Sequence, residues 1–282
     1  MTEPATPRPI ILRRLQLSTA AWQLLSETAA AALQLPQAPE HVETPWTEDS
    51  AAAAWTELHE LGLSPAAGEV RWQWLGAVAL LLAAPLTVTA RATYNGVSTT
   101  SALGLRGARG IAVHQRHLSE STGSGTVVTG SEDSVEVTLF DEEKLWPALE
   151  RLLPPLEAVR APAKAAPLSA TPAAVLGAAT DLGALPEPAA SLVAGEDANV
   201  TLSVTAAPEG QPARLWTAMW SVAGGHLYSV RTRNTQAPAA QAGDMPEVTV
   251  TEVPAGHIAH ELVFAVVGAH DALAGAGAVA GP

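Results

Sequence analysis

The sequence predicts an α+β protein built of two similar halves, each a block of strands followed by a helix. Three observations lead there. Residues 86–94 read Leu-Thr-Val-Thr-Ala-Arg-Ala-Thr-Tyr, an alternation of apolar and polar residues with the period of a half-buried strand. Asn95-Gly96 follows at once, and a two-residue hairpin turn needs positive φ at both central positions, which this pair tolerates best. Finally, a strand, helix-start, helix pattern recurs. Val135-Glu136-Val137, Asp141, Leu145 and Leu149 are echoed by Val248-Thr249-Val250, Pro254, Ile258 and Leu262 at a constant offset of 113 residues. A strand-rich stretch precedes each copy, at 86–117 and 199–233. An internal duplication is the reading this supports, and two such units joined edge to edge predict one antiparallel sheet with helices on one face.

Taken in order, Pro9–Gln16 is a short leading strand. Ser18 or Thr19 caps a helix carrying Trp22, Leu25, Ala29 and Ala32 at helical spacing. The chain turns at Thr44–Trp46. A second helix follows from Thr47 to Leu61, closed by Gly62 in the left-handed position. Val70, Trp74, Val78, Leu81 and Leu82 mark a third, buried helix that Pro85 stops. Val97–Leu105 returns from the Asn95-Gly96 turn, and Gly107–Gly110 turns the chain into Ile111–Gln115. Ser119–Gly125 reads as a loop, Val127–Thr129 as a short strand, and Val135–Leu139 as the last strand of the set. Asp141 caps a helix with Pro147 inside it, ended by Pro154-Pro155. The Pro/Ala-rich stretch contains one short helix, Pro172–Ala179. Strands resume at Asn199–Thr205, and Leu215–Val222 with His226–Arg233 form a hairpin around Gly224-Gly225. Pro254 opens the final helix, a position that suits its missing amide. The predicted organisation is an N-terminal half (1–153), a connector (154–197), a C-terminal half (198–270) and a flexible Gly/Ala-rich tail (271–282).

Composition narrows the function classes. Lys and Arg total 15 against 28 Asp and Glu, for a net charge of -13. Such a chain repels phosphate backbones and anionic bilayers, so nucleic acid and membrane insertion are not expected. Arg13, Arg14, Arg106, Arg109 and Arg116 are too sparse to alter that and read as solvated surface charge. The absence of cysteine excludes disulfides and thiol chemistry. Met1–Pro9 lacks the basic and apolar segments of a secretion signal, and the apolar run Trp74–Leu86 is shorter than the ~20 residues of a membrane span. A cytoplasmic protein is the expectation.

Chemistry-bearing motifs are sparse. His114 and His117 are three apart on a strand and point to opposite faces. His257 and His260 have a spacing a helix can use, but no third ligand is evident and they read as solvent-facing. Gly104-Leu105-Arg106-Gly107 and Gly123-Ser124-Gly125 lack the Lys-Ser/Thr of a phosphate loop. Glu132-Asp133 reads as a solvated turn, and Asp141-Glu142-Glu143 as acidic residues favoured by a helix N-terminus. Neither a catalytic residue, a cofactor nor a metal is predicted.

The tryptophans carry more information. Trp22, Trp55, Trp74 and Trp146 lie on apolar faces and read as core. Trp216 and Trp220 share one face of a strand, with Leu215 and Met219 on the other. A strand apolar on both faces has to be covered on both, by the fold or by a partner. Trp216 and Trp220, with Tyr228 on the returning strand, are the candidate partner-binding residues.

In its order of elements the chain resembles the EspG family, cytosolic chaperones of type VII secretion systems in actinobacteria. The likeness rests on Ile11-Leu12-Arg13-Arg14-Leu15-Gln16-Leu17-Ser18 before a Trp-containing helix, and on Trp55-Thr56-Glu57-Leu58-His59-Glu60-Leu61-Gly62-Leu63. An apolar helix, a strand block ending in Val-x-Val, a helix closing on Leu152-Leu153-Pro154-Pro155, a Pro/Ala connector and a second copy complete it, over roughly Ile10 to Ala269. The resemblance implies two quasi-symmetric subdomains around a central antiparallel sheet with flanking helical bundles. It also implies binding of a secreted helical substrate, a PE–PPE-like heterodimer whose apolar tip is covered, without catalysis or cofactor. Two other classes remain: a non-catalytic, self-assembling scaffold, and an enzyme whose site draws together His114, Tyr228 and Glu252.

Overall fold

In the computed structural model of the chain, the described residues are 11–35, 47–122, 125–163, 175–176, 189–233 and 247–279. Their strands are β1 (Ile11–Leu17), β2 (Leu86–Tyr94), β3 (Val97–Arg106), β4 (Arg109–Thr122), β5 (Gly125–Asp141), β6 (Val175–Leu176), β7 (Glu196–Ala206), β8 (Arg214–Ala223), β9 (His226–Arg233) and β10 (Glu247–Val253). The helices are α1 (Thr19–Leu33), α2 (Glu48–Glu60), α3 (Trp72–Leu82), α4 (Leu145–Glu150), α5 (Glu157–Arg160), α6 (Ala189–Gly195) and α7 (His257–Val279). The ten strands form one sheet in the order β1-β5-β4-β3-β2-β7-β8-β9-β10-β6, antiparallel at every pairing. The chain is therefore a mixed α/β protein organised on a large antiparallel sheet.

Alternation places the residues of β2 as expected. Leu86, Val88, Ala90 and Ala92 are buried, while Thr87, Thr89, Arg91 and Thr93 face the other way. Asn95 and Gly96 take φ of 50° and 70°, the turn that their sequence specifies. On its far side β2 pairs with β7 from Leu86↔Ala206 to Tyr94↔Ala198, so the first strand of each strand block meets at the middle of the sheet.

Helices lie on both faces, not one. The first face carries the larger core: Val88, Ala90, Leu103, Leu202, Val204 and Trp220 pack against Leu149 of α4, Val159 of α5 and Ile258 and Leu262 of α7. On the second face, Ile111, Val135, Val137 and Leu17 pack against Leu25 of α1, Leu58 of α2 and Val78 of α3. Further along that face, α6 contributes Leu192 to a small cluster with Ala223 and Val250. One-face packing failed because β4 and β5 are apolar on both sides: Ile111 and Ala112 are neighbours in sequence and belong to different cores.

Helix α3 approaches the sheet closely at Gly104 of β3. A Cβ there would lie 2.1 Å from the Leu80 carbonyl oxygen of α3, so only glycine lets this helix settle on the strand. Across the hairpin, Gly110 leaves room for the Phe140 ring, 2.4 Å from where a Cβ would stand. Gly104 and Gly110 serve packing, whereas Gly107 between them takes φ of 60° in the turn.

The start of α1 is fixed by its own cap residue together with side chains distant in sequence. The Ser18 hydroxyl accepts from the Ala21 amide at 3.1 Å and donates to Glu57 at 2.6 Å. Asp133 accepts from the Thr19 amide at 2.9 Å, so an acidic residue expected in a solvated turn caps α1 from within β5. Thr47 and Ser50 form a reciprocal capping box on α2. The expected turn at Thr44–Trp46 lies outside the described residues.

Several boundaries differ from expectation. Ser119–Gly125 is not a loop, since its described residues continue β4 and open β5, and Val127–Leu139 is one strand with register shifts. Ser, Thr and Gly mask a hairpin whose ladder is held by backbone. Asp141 makes no capping hydrogen bond; it pairs with Arg109 at 2.8 Å. Within the predicted helix 172–179, Val175–Leu176 is a strand paired with β10, and the rest lies outside the described residues. The connector 154–197 also contains α5, α6 and the start of β7. Pro254 precedes α7, which begins three residues later after Gly256 at φ 94°. The expected tail at 271–282 is instead the continuation of α7 to Val279; residues 280–282 lie outside the described residues.

Candidate partner-binding surface

Trp220 is fully buried. Its indole N–H donates to His257 Nδ1 at 3.0 Å, so the imidazole is neutral with its proton on Nε2, facing Glu261 at 3.9 Å. Burial lowers the His257 pKa and outweighs the opposing effect of Glu261. His257 is thus a core residue that ties the start of α7 to β8, against the expectation of a solvent-facing pair; His260 alone is exposed. Trp220 has no surface to offer a partner, and the expectation for it is corrected.

Trp216 lies on the same face, partly buried, with its ring centroid 6.4 Å from that of Trp220. Tyr228 is on the second face beside Val248, packed against the cluster around α6. The three candidates are therefore not one surface. Leu215 and Met219, expected to need cover, are 69% and 39% exposed.

The feature that the sequence reading missed is the outer side of α7. Ile258, Leu262, Ala265, Ala269 and Ala272 recur every three or four residues and are buried against the sheet. Three apolar residues also stand on its outer side, between exposed His260 and His270: Val263, Phe264 and Val267 are 52%, 69% and 55% exposed. Between this stripe and the start of β8 runs a groove of about 160 Å³ lined by Leu215, Trp216, Phe264 and Gly268. By length and composition His257–Gly275 is apolar enough to cross a membrane, but in the fold its inner stripe packs on β7 and β8.

Other predicted residues do not converge. His114 is on β4, whereas Tyr228 and Glu252 pair across β9 and β10, five strand spacings or roughly 24 Å away. Among the described residues no three His, Asp or Glu side chains are grouped to hold a metal ion. The arginines are exposed surface charges, as expected, and also have partners: Arg13 lies 5.1 Å over the Trp74 ring, Arg14 pairs with Glu136, Arg106 donates to the Ala83 carbonyl and Arg116 approaches Glu132 at 3.6 Å.

No protein-family model matches the chain, and no curated protein matches its sequence.

Proposed function

We propose that this chain is a cytoplasmic, non-catalytic chaperone of the EspG type, which holds a secreted PE–PPE-like helical heterodimer by its apolar tip and needs no cofactor. The single observation behind this reading is the stripe of Val263, Phe264 and Val267 beside the Trp216 groove. Contiguous apolar surface of this kind marks an interaction site in a soluble body. A net charge of -13 keeps such a body dispersed while the patch stays apolar. The groove is floored by small residues, Ala265, Gly268 and Ala269, which suit the close approach of another helix.

The same reading takes the two five-strand blocks as quasi-symmetric subdomains, with α1–α3 and α7 as the flanking helical elements. The order of elements supports it: in each block a four-strand meander ends in a helix, and an edge strand preceding the meander in sequence pairs with its last strand.

The test is co-expression with a PE–PPE-like helical protein pair, followed by affinity capture and size-exclusion chromatography. A stoichiometric ternary complex is expected, and Phe264→Ser with Val267→Ser should abolish it without unfolding the chain. Capture of nothing by the unaltered chain, or undiminished capture by the double variant, rejects the reading. A second reading, a self-assembling scaffold, is favoured by the exposed Leu118, Val127 and Val128 on the β4–β5 hairpin. It predicts concentration-dependent oligomers of the chain alone in light scattering.

A further inference from the structure

A second site lies in the N-terminal half, on the first face of the sheet. A cavity of about 380 Å³ opens between β2–β4 and the segment from α4 to α5. Its polar lining is Tyr94, Asn95, Thr99, His114, Arg116, Arg151 and Arg160, and among the described residues no carboxylate lines it. Three guanidinium groups around one cavity are unexpected in a chain that carries 28 acidic residues.

The neighbouring acids do not neutralise this cluster. Arg151 pairs with Glu136, but Arg14 shares the same carboxylate, leaving two cations on one anion. Among the described residues, Arg116 pairs with Glu132, at 3.6 Å and at the surface. Arg160 donates to the carbonyls of Arg151, Leu153 and Pro154, which hold its position without cancelling its charge. Arg151 also donates to Thr138 from Nη2 at 3.3 Å, while its Nε is buried with no hydrogen-bond partner. An oxyanion is the acceptor that a guanidinium lining a cavity matches best. The remaining wall is apolar, including Val97, Leu152 and Pro154.

We propose that this cavity binds a small amphipathic anion, a carboxylate or phosphate monoester carrying an apolar chain. The oxyanion is held between Arg116 and Arg151, and the chain lies along Val97 and Pro154. The site is independent of the α7 surface, which is in the other half of the sheet. His114 supplies an internal reporter. Its Nδ1 is 2.8 Å from the Ser101 hydroxyl, and its pKa is lowered to about 4 by burial first, then by Arg116, Arg151 and His117. An anion between the two arginines offsets their effect and raises that value.

The experiment titrates the full chain with inorganic phosphate, hexyl phosphate and hexanoate by calorimetry, and follows the His114 ring by NMR. Hexyl phosphate or hexanoate should bind saturably and about tenfold or more tighter than inorganic phosphate. Whichever headgroup binds more tightly identifies the source of the anion. Arg116→Gln, at an exposed position, should weaken binding by about tenfold or more at unchanged melting temperature. The bound anion should move the His114 pKa from about 4 toward its ordinary 6.5. Arg151→Gln repeats the test if it folds. The proposal is overturned by no saturable binding of any of the three probes, by equal affinity in Arg116→Gln, or by a His114 titration that the anion leaves unmoved.

Discussion

The two blocks of the sheet are covered differently. The β1–β5 block carries α4 on the first face and the packed trio α1, α2 and α3 on the second. Among the described residues, the β6–β10 block carries α7 with α5 beside it on the first face and the seven-residue α6 on the second. Its β8 strand consequently shows Leu215 and Met219 to solvent, and the adjoining strands present hydroxyls there, such as Ser203 bonded to Thr217 at 3.0 Å. Where cover is complete, apolar side chains are absorbed into a core; where it is incomplete, they remain as surface. The contrast locates the cavity in the well-covered block and the candidate docking stripe in the sparsely covered one.

The largest effect that sharpens this contrast is expected at Gly104, where α3 touches β3. Gly104→Ala forces a Cβ against backbone that cannot turn aside, and should cost about 3 kcal/mol in urea unfolding. Ser221 of β8 lies 117 residues further on, at the matching place in the second meander, and already has a side chain, bonded to Glu196. A small loss at Gly104 would mean that the helical cover of the first block is loose. Next comes Trp220→Phe, which removes the N–H donated to His257 and some core volume. About 1–3 kcal/mol is expected from thermal or urea unfolding.

Acid should act on both blocks. His114 and His257 have pKa values lowered in the fold. The unfolded chain therefore binds more protons than the folded one below about pH 6.5, and stability falls as pH drops, for His114 down to about 4. His114→Gln should make the decline of melting temperature with acid shallower, and hydrogen exchange should report which block loosens first. A steeper decline in that variant would remove His114 as a contributor. The smallest effect is on α7: Phe264→Ser should change stability by no more than ~0.5 kcal/mol, because the ring is 69% exposed. A loss of several times that would show that the ring belongs to the fold and is no docking residue.

Much of this architecture was legible in the sequence, for identifiable reasons. The alternation of Leu86–Tyr94, the Asn95-Gly96 turn and the spacing of Ile258 and Leu262 are local signals, and they placed β2, β3 and α7. The distal part of β4 and β5 was not, because a ladder of backbone bonds imposes no apolar period on Ser and Thr. The end of α7 was hidden because Gly and Ala resemble a linker until a packed helix precedes them. The candidate sites were least legible. Arg116, Arg151 and Arg160 come from separate segments and meet only in the folded chain. Trp220 and His257 are 37 residues apart and are joined by a hydrogen bond that no periodicity announces. Trp216 and Trp220 were rightly placed on one face, but alternation alone cannot say which of two neighbours lies under a helix.

The pairing of β1 with β5 has a consequence for assembly. Leu17 meets Val135 and Leu15 meets Val137, so β1 has no place in the sheet until more than a hundred further residues exist. The amide of Thr19 waits for Asp133 in the same way. The β2–β3 hairpin closes on its own neighbours and can form early, whereas β1 and the cap of α1 are late additions. The seam of β2 with β7 comes later still, since its second strand lies beyond the first block entirely. Until that strand arrives, the apolar row Leu86, Val88, Ala90 and Ala92 lies on an open edge. The chain thus passes through an interval in which it exposes an unpaired strand of its own.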